Sequence, residues 1–237
     1  MFTFKNQTSE QMGLEIGNGI SYPSTSGSLE FIEIDGRDGA LVIDKKRYKR
    51  VNWPIPVILK TDQDGIEPRI TDITNWLLTD LGEHDWLWDS DPDFIYRAFC
   101  YDQYGMDRLL SNFGKAVINF NLHPIKYLSS TYRTESAVPN NRVISNPYRI
   151  DARPRLRIVG SGDIEIQIGG RPLRLRGIDG GCIIDSESQT ITSLDGQRTM
   201  FSHMFDLFPT LRPGDNRITI NRNDVQMHII PRLGALI

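Results

Sequence analysis

The chain is short of the residues that usually carry chemistry. Among its 237 residues are two cysteines and four histidines. Cys100 and Cys182 lie far apart in segments that read as strands, so they are expected as two buried thiols behaving as small hydrophobes. A disulfide is the lesser alternative, and a two-cysteine metal site the least favoured. None of His84, His123, His203 and His228 stands in H-E-x-x-H or pairs with a cysteine at zinc spacing. His203 and Asp206 are three apart and would share a face of a helix, but two ligands do not make a site. G-x-S-x-G, the phosphate loop and G-x-G-x-x-G are all missing. No catalytic residue, metal ligand or cofactor is therefore assigned, and the chain is read as a non-enzyme.

Long apolar runs are missing too. No stretch approaches the ~18 apolar residues of a membrane span, and the first 17 residues hold no apolar h-region of a secretory signal. The expectation is synthesis and solubility in the cytoplasm. Charge of one sign is also absent. The 27 basic and 30 acidic side chains give a net charge of −3, which argues against nucleic-acid binding by charge. Asp89, Asp91 and Asp93 match the first ligand positions of a calcium loop. The match fails at Phe94, where the turn needs glycine, and at Cys100, where a bidentate glutamate belongs, so a solvated acidic turn is the better account.

What is present is mainly β, with 39% hydrophobic residues, enough for a sizeable core. Ile70, Ile73, Leu77 and Leu81 recur at spacings of three and four and predict one short helix over about 71–81, with Thr71 as N-cap, Asp72 in the first turn and Gly82 beyond its end. Apolar strands follow at 86–88 and 94–101. Earlier, residues 30–34 alternate into a turn, Asp35-Gly36-Arg37-Asp38-Gly39, and a strand resumes at 40–43. Pro54 and Pro56 restrict 51–60 to an edge strand or extended arm. Ala116, Ile118, Phe120 and Leu122 mark a half-buried strand. The Ser-, Thr- and Asn-rich stretch 131–147 reads as a linker between a first domain, 1–130, and a second, 148–237. Beyond it, short strands alternate with turn signals about every ten residues, the pattern of a small β-sandwich. Residues 164–168 alternate strictly, and Gly169-Gly170 turns the chain into the next strand.

Several landmarks occur together in a specific order: Met12-Gly13-Leu14, Gly36-Arg37-Asp38-Gly39-Ala40-Leu41, Ile73-x-x-Trp76-Leu77, Tyr96-x-Ala98 and Phe120 to Pro124 with Lys126-Tyr127. The second half adds Ile184-Asp185-Ser186-Glu187 and Phe208-Pro209-x-Leu211-x-Pro213-Gly214-x-Asn216. In these the chain resembles the distal tail protein (Dit) family of siphophages over nearly its whole length. The resemblance implies an N-terminal β-sandwich that forms a hexameric ring and a C-terminal galectin-like β-sandwich projecting from it. It also implies a virion hub at the tail tip that joins the tail tube protein to the baseplate, tail fibre or tail-associated lysin, with DNA passing through the lumen. No carbohydrate-binding insertion fits within this length, which makes it the short form.

A closed ring needs two different complementary patches on each subunit. The basic run Lys45, Lys46, Arg47, Lys49 and Arg50, which would ordinarily be a solvated hairpin face, and the acidic turn with Glu83, Asp85, Asp89 and Asp91 are candidates for that pair. The runner-up function is a carbohydrate-binding sandwich recognising a bacterial cell-wall saccharide, and a weak host saccharide contact is compatible with the hub as well. A cell-wall hydrolase is third. All four tryptophans (Trp53, Trp76, Trp86 and Trp88) lie in the first half, which lowers the lectin reading because sugar sites favour exposed aromatic rings.

Overall fold

The structure is a computed structural model that describes residues 1–62 and 65–237. The described chain is mainly β and divides into two compact units: residues 1–126 with 236–237, and residues 127–235. In the first unit the strands are β1 (Phe2–Phe4), β2 (Gln7–Thr8), β3 (Leu14–Ile16), β4 (Gly27–Ile32), β5 (Leu41–Tyr48) and β6 (Val51–Lys60). The helix α1 (Glu67–Leu78) follows, then β7 (His84–Trp88), β8 (Phe94–Phe99), β9 (Met106–Leu110) and β10 (Phe113–Leu122). β11 (Ile125–Leu128) carries the chain into the second unit. That unit holds α2 (Ser129–Tyr132), β12 (Ser136–Ala137), β13 (Arg142–Asn146), β14 (Arg155–Val159), β15 (Gly162–Ile168), β16 (Arg171–Ile178), β17 (Gly181–Asp185), β18 (Thr190–Ser193), β19 (Gly214–Ile220) and β20 (Gln226–Ile230). β21 (Gly234–Leu236) ends the chain.

The main sheet of the first unit runs β2-β1-β7-β8-β10-β6-β3, with β9 also paired to β10, and is wrapped on an aromatic core. β1 pairs antiparallel with β7, so Phe2 stands opposite Trp88 and Phe4 opposite Trp86. Trp86 and Trp88 stack at 5.3 Å, Trp53 lies 5.1 Å from Trp86, and Phe2 meets Phe120 edge-on at 5.3 Å. All four tryptophans are buried.

α1 covers this core, but with bounds shifted from the sequence expectation. It starts at Glu67 because Pro68 in the first turn presets a helical φ and needs no N–H acceptor. Glu67, not Asp72, supplies the first-turn carboxylate. Thr71 is inside the helix, its Oγ1 donating to Glu67 O at 3.4 Å, and so cannot be the N-cap. The helix ends at Leu78, leaving Leu81 59% exposed, and Ile73, Trp76 and Leu77 form the buried face. Gly82 is not its C′ residue; its N–H is taken by Asp80 Oδ1 at 3.1 Å. The last carbonyls, of Trp76 and Leu77, accept instead from Lys5 Nζ at 3.0 and 3.2 Å, a cation placed on the negative helix end by the β1–β2 turn.

β6 is not an edge strand or a free arm, for it pairs along its whole length with β10 and near its end with β3. Its even-numbered residues direct their backbone groups toward β3: Gly17 N–H donates to Pro56 O at 2.8 Å and Lys60 N–H to Gly13 O at 2.9 Å. The N–H groups that Pro54 and Pro56 lack would point to the β3 side, away from the ladder with β10, and on that side Pro56 still accepts through its carbonyl from Gly17.

The second unit is a sandwich of a five-stranded sheet, β12-β20-β14-β17-β18, and a four-stranded sheet, β13-β19-β15-β16. Both contribute to one aliphatic core, including Leu156, Ile166, Leu175, Ile184, Ile218 and Ile229. Stretch 131–147 is not a linker: β12 and β13 lie in it and pair in the two sheets. A polar stretch can supply these edge strands because they bury little: both residues of β12 are exposed and β13 buries only Asn146. β14 and β15 alternate across their turn yet belong to opposite sheets. That corner is stitched to the one before β17, with Gly160 N–H donating to Gly180 O at 3.3 Å and Gly180 N–H to Ser161 Oγ at 2.9 Å. At β17 a Cβ on Gly181 would come within 2.3 Å of Ile158 O, so only glycine fits against β14.

Candidate subunit interface

β4 and β5 pair only with each other and form a two-stranded ribbon outside the main sheet. Cross-strand partners share a face, so Leu29, Phe31 and Val42 lie on one side and Ile32, Leu41 and Ile43 on the other. All six are exposed, Phe31 by 64% and Val42 by 52%. Gly36 and Gly39 turn the tip with φ of +78° and +75°. An isolated two-stranded ribbon is marginal in water, and exposed apolar side chains on both faces are the kind of surface that interaction sites present.

The base of this arm is held firmly. Thr25 N–H donates to Ile237 O at 2.9 Å, Thr25 Oγ1 to Lys49 O at 2.6 Å and Lys49 N–H to Ser26 O at 2.8 Å. Next to it, the Arg50 guanidinium donates to a Glu83 carboxylate oxygen, to the Asn121 side-chain oxygen and to Asn121 O, the last at 2.9 Å, while lying 4.5 Å from the Phe99 ring centroid. Arg97 binds the other Glu83 oxygen at 2.5 Å. Burial opposes the Glu83 charge, but the Arg50 hydrogen bond and both guanidinium charges outweigh it and hold the carboxyl below its usual range.

The candidate charged residues thus fall into two groups. The structure brings Arg50 and Glu83 together, but within one chain. Lys45 pairs with Glu30 at 2.9 Å and Lys46 with Asp44 at 2.7 Å, both along the arm, where Arg47 Nε also donates to Ser28 Oγ at 3.3 Å. Lys49 contributes its backbone at the base. Asp85 stands opposite Arg97 on β8, Asp89 lies 3.3 Å from the N-terminal amine, and Asp91 accepts from Tyr96 Oη at 2.6 Å and Lys126 Nζ at 2.5 Å. Sequence reasoning missed the apolar surface of the arm. Its signal was legible: Leu41-Val42-Ile43 is contiguous, so one of the three must face away from any single core.

The late motifs form staples of the second unit. Arg232 grips Asp185 through two bonds of 2.7 and 2.8 Å and reaches Glu187 at 3.2 Å, and Tyr127 Oη donates to Glu187 at 3.1 Å. Burial opposes the Asp185 charge, yet Arg232 and the Ser188 and Glu187 N–H groups bring its carboxyl below the usual range. Buried Asn216 donates to Arg212 O at 2.8 Å and Gly214 O at 3.0 Å while accepting from Arg212 N at 2.9 Å, which fixes the turn before β19. His203 lies in a short 3-10 turn, Phe201–His203, with its ring nitrogen 2.8 Å from Arg176 O, and Asp206 is bound by Arg174 instead. Burial pushes the Cys100 thiol up to about 11 and the Cys182 thiol to about 12, which leaves both protonated and inert near neutral pH.

A crystal structure of the Dit protein of phage SPP1 superposes on 96% of this chain and 96% of its own, with a TM-score of 0.72 and 15% identity. The chain has the Dit fold. A structure of the phage P2 baseplate in its activated conformation with calcium covers 90% of each chain at a TM-score of 0.44 and 10% identity. No protein-family profile and no curated protein sequence matches. The Dit fold is thus recovered at an identity of 15%.

Proposed function

We propose that this chain is a structural virion protein, the hub at the distal end of a siphophage tail. Six copies close into a ring, which joins the tail tube protein to the baseplate, tail fibre or tail-associated lysin and lets DNA pass through its lumen. The observation that carries this reading is the Dit fold across the whole chain, because the SPP1 protein that shares it is described as a paradigm of the hub adsorption apparatus of phages infecting Gram-positive bacteria. Fold alone does not assign function, and the arm supplies an independent physical reason. Its apolar faces need a cover, and a neighbouring subunit in a ring provides one without exposing a new edge. Lys45, Lys46 and Arg47 ride on the arm into that contact, whereas Arg50 and Glu83 hold its base. The second unit takes the place of the galectin-like domain. The role needs no catalysis.

Light scattering of the purified protein, with negative-stain images of the same peak, tests this. A ring with a central hole and a mass of six chains is expected. A strict monomer at high concentration, both alone and with tail tube protein, would remove the hub reading.

A further inference from the structure

The outward face of the four-stranded sheet carries a recess of about 230 Å³, lined by Asn140, Asn141, Glu165, Gln167, Pro172, Thr219 and Asn221 over buried Ile166 and Ile220. Register builds its floor: Gln167 on β15 stands opposite Thr219 on β19 and Pro172 on β16. Part of the rim is occupied by the fold itself. Asn140 brackets Ile220, donating to its carbonyl at 3.2 Å and accepting from its N–H at 2.9 Å. Asn221 Oδ1 accepts from Glu165 N–H at 3.0 Å, and Glu165 Oε1 accepts from Arg176 at 2.8 Å. The side-chain amides of Asn141 and Gln167 and the Thr219 hydroxyl have no partner among the described residues.

This chemistry excludes most ligand classes. No lysine or arginine lines the recess, so phosphates and nucleic acid have no counter-charge there. β15 lies between β16 and β19, so its backbone groups are used in the ladders and a peptide cannot add as a strand. The volume falls below the ~300–1,000 Å³ of drug-sized pockets, and the lining mixes polar side chains with apolar surface rather than being mostly apolar. Two amides and a hydroxyl offer donors and acceptors side by side, which matches vicinal hydroxyl groups. The Pro172 ring adds a flat apolar wall for the C–H face of a sugar.

We propose that this recess is a subsite for one neutral, hydroxyl-rich pyranose unit of a saccharide, held by Asn141, Gln167 and Thr219. It goes beyond the hub role and stands whether or not the ring forms.

The full chain is applied to an array of neutral hexose and N-acetylhexosamine oligosaccharides, with anionic polysaccharides alongside, and hits are titrated by calorimetry. Neutral saccharides are expected to be retained, with affinity lowered about tenfold or more in the Gln167→Ala/Thr219→Val double variant at unchanged Tm. Arg155→Ala, on the other sheet, is expected to bind as the parent does. An array without hits, capture of anionic polysaccharides alone, undiminished binding by the double variant, or loss in Arg155→Ala would each overturn the proposal.

Discussion

Two hairpins in this molecule are built from similar residues and end in opposite circumstances. β15 and β16 alternate in and out from Ile164 to Leu175, close through Gly169-Gly170, and bury every second side chain of that stretch in the sandwich core. β4 and β5 also turn on glycines, but they place apolar side chains on both faces and bury almost none of them. The first hairpin is complete within its own unit; the second leaves apolar side chains exposed on both faces. A period of two with one polar face satisfies itself, whereas contiguous apolar residues on a ribbon require a partner.

The sharpest way to break this comparison is one charge in each hairpin. Ile166→Asp puts an unpaired carboxylate into a fully buried site and should cost about 4 kcal/mol or more, unfolding the second unit in a denaturant titration. Phe31→Asp should leave the melting of the subunit within about 0.5 kcal/mol while abolishing the high-mass species in light scattering. Equal destabilisation by both would mean that the arm packs within its own subunit after all.

Glycine substitutions give the next largest contrast. Gly181→Ala forces a Cβ against the Ile158 carbonyl at φ +140° and should cost on the order of 3 kcal/mol in thermal unfolding. Gly36→Ala, at φ +78° in open space, bears only the left-handed penalty of about 1 kcal/mol.

A smaller effect sharpens the role of the arm's base. Glu83 has a folded pKa below its unfolded value, so its stabilisation is fully present above about 4.5 and is lost as pH falls through the folded pKa. Asp185 behaves the same way from about 3.8 downward. Arg50→Ala should therefore lower stability at neutral pH by about 1–3 kcal/mol and flatten the acid slope of a Tm-against-pH series. In the intact protein, limited proteolysis should spare the arm's base, and in Arg50→Ala it should cut there. An unchanged slope and unchanged cleavage would show that Arg50 does not hold the arm.

Much of this architecture was legible before any contact was known. The helix was visible through Ile73 and Leu77, but its start was set by Pro68 and its end by a lysine from a distant turn, and periodicity reports neither. The 131–147 stretch looked like a linker because its two edge strands bury little and can remain mostly polar. The charged residues around 45–50 and 83–91 were expected as a complementary pair between subunits. A sequence cannot show that Arg50 reaches Glu83 within its own chain, since that contact spans 33 positions.

The sequence by itself determined the β-rich character, the turns at Gly36 to Gly39 and at Gly169-Gly170, and the short supply of reactive groups, because these follow from local conformational preference and side-chain chemistry. Tertiary structure alone decided which sheet each strand joins, which charges neutralise one another and which apolar residues remain uncovered. Those outcomes depend on contacts between residues far apart in sequence, whose energies local preference does not contain.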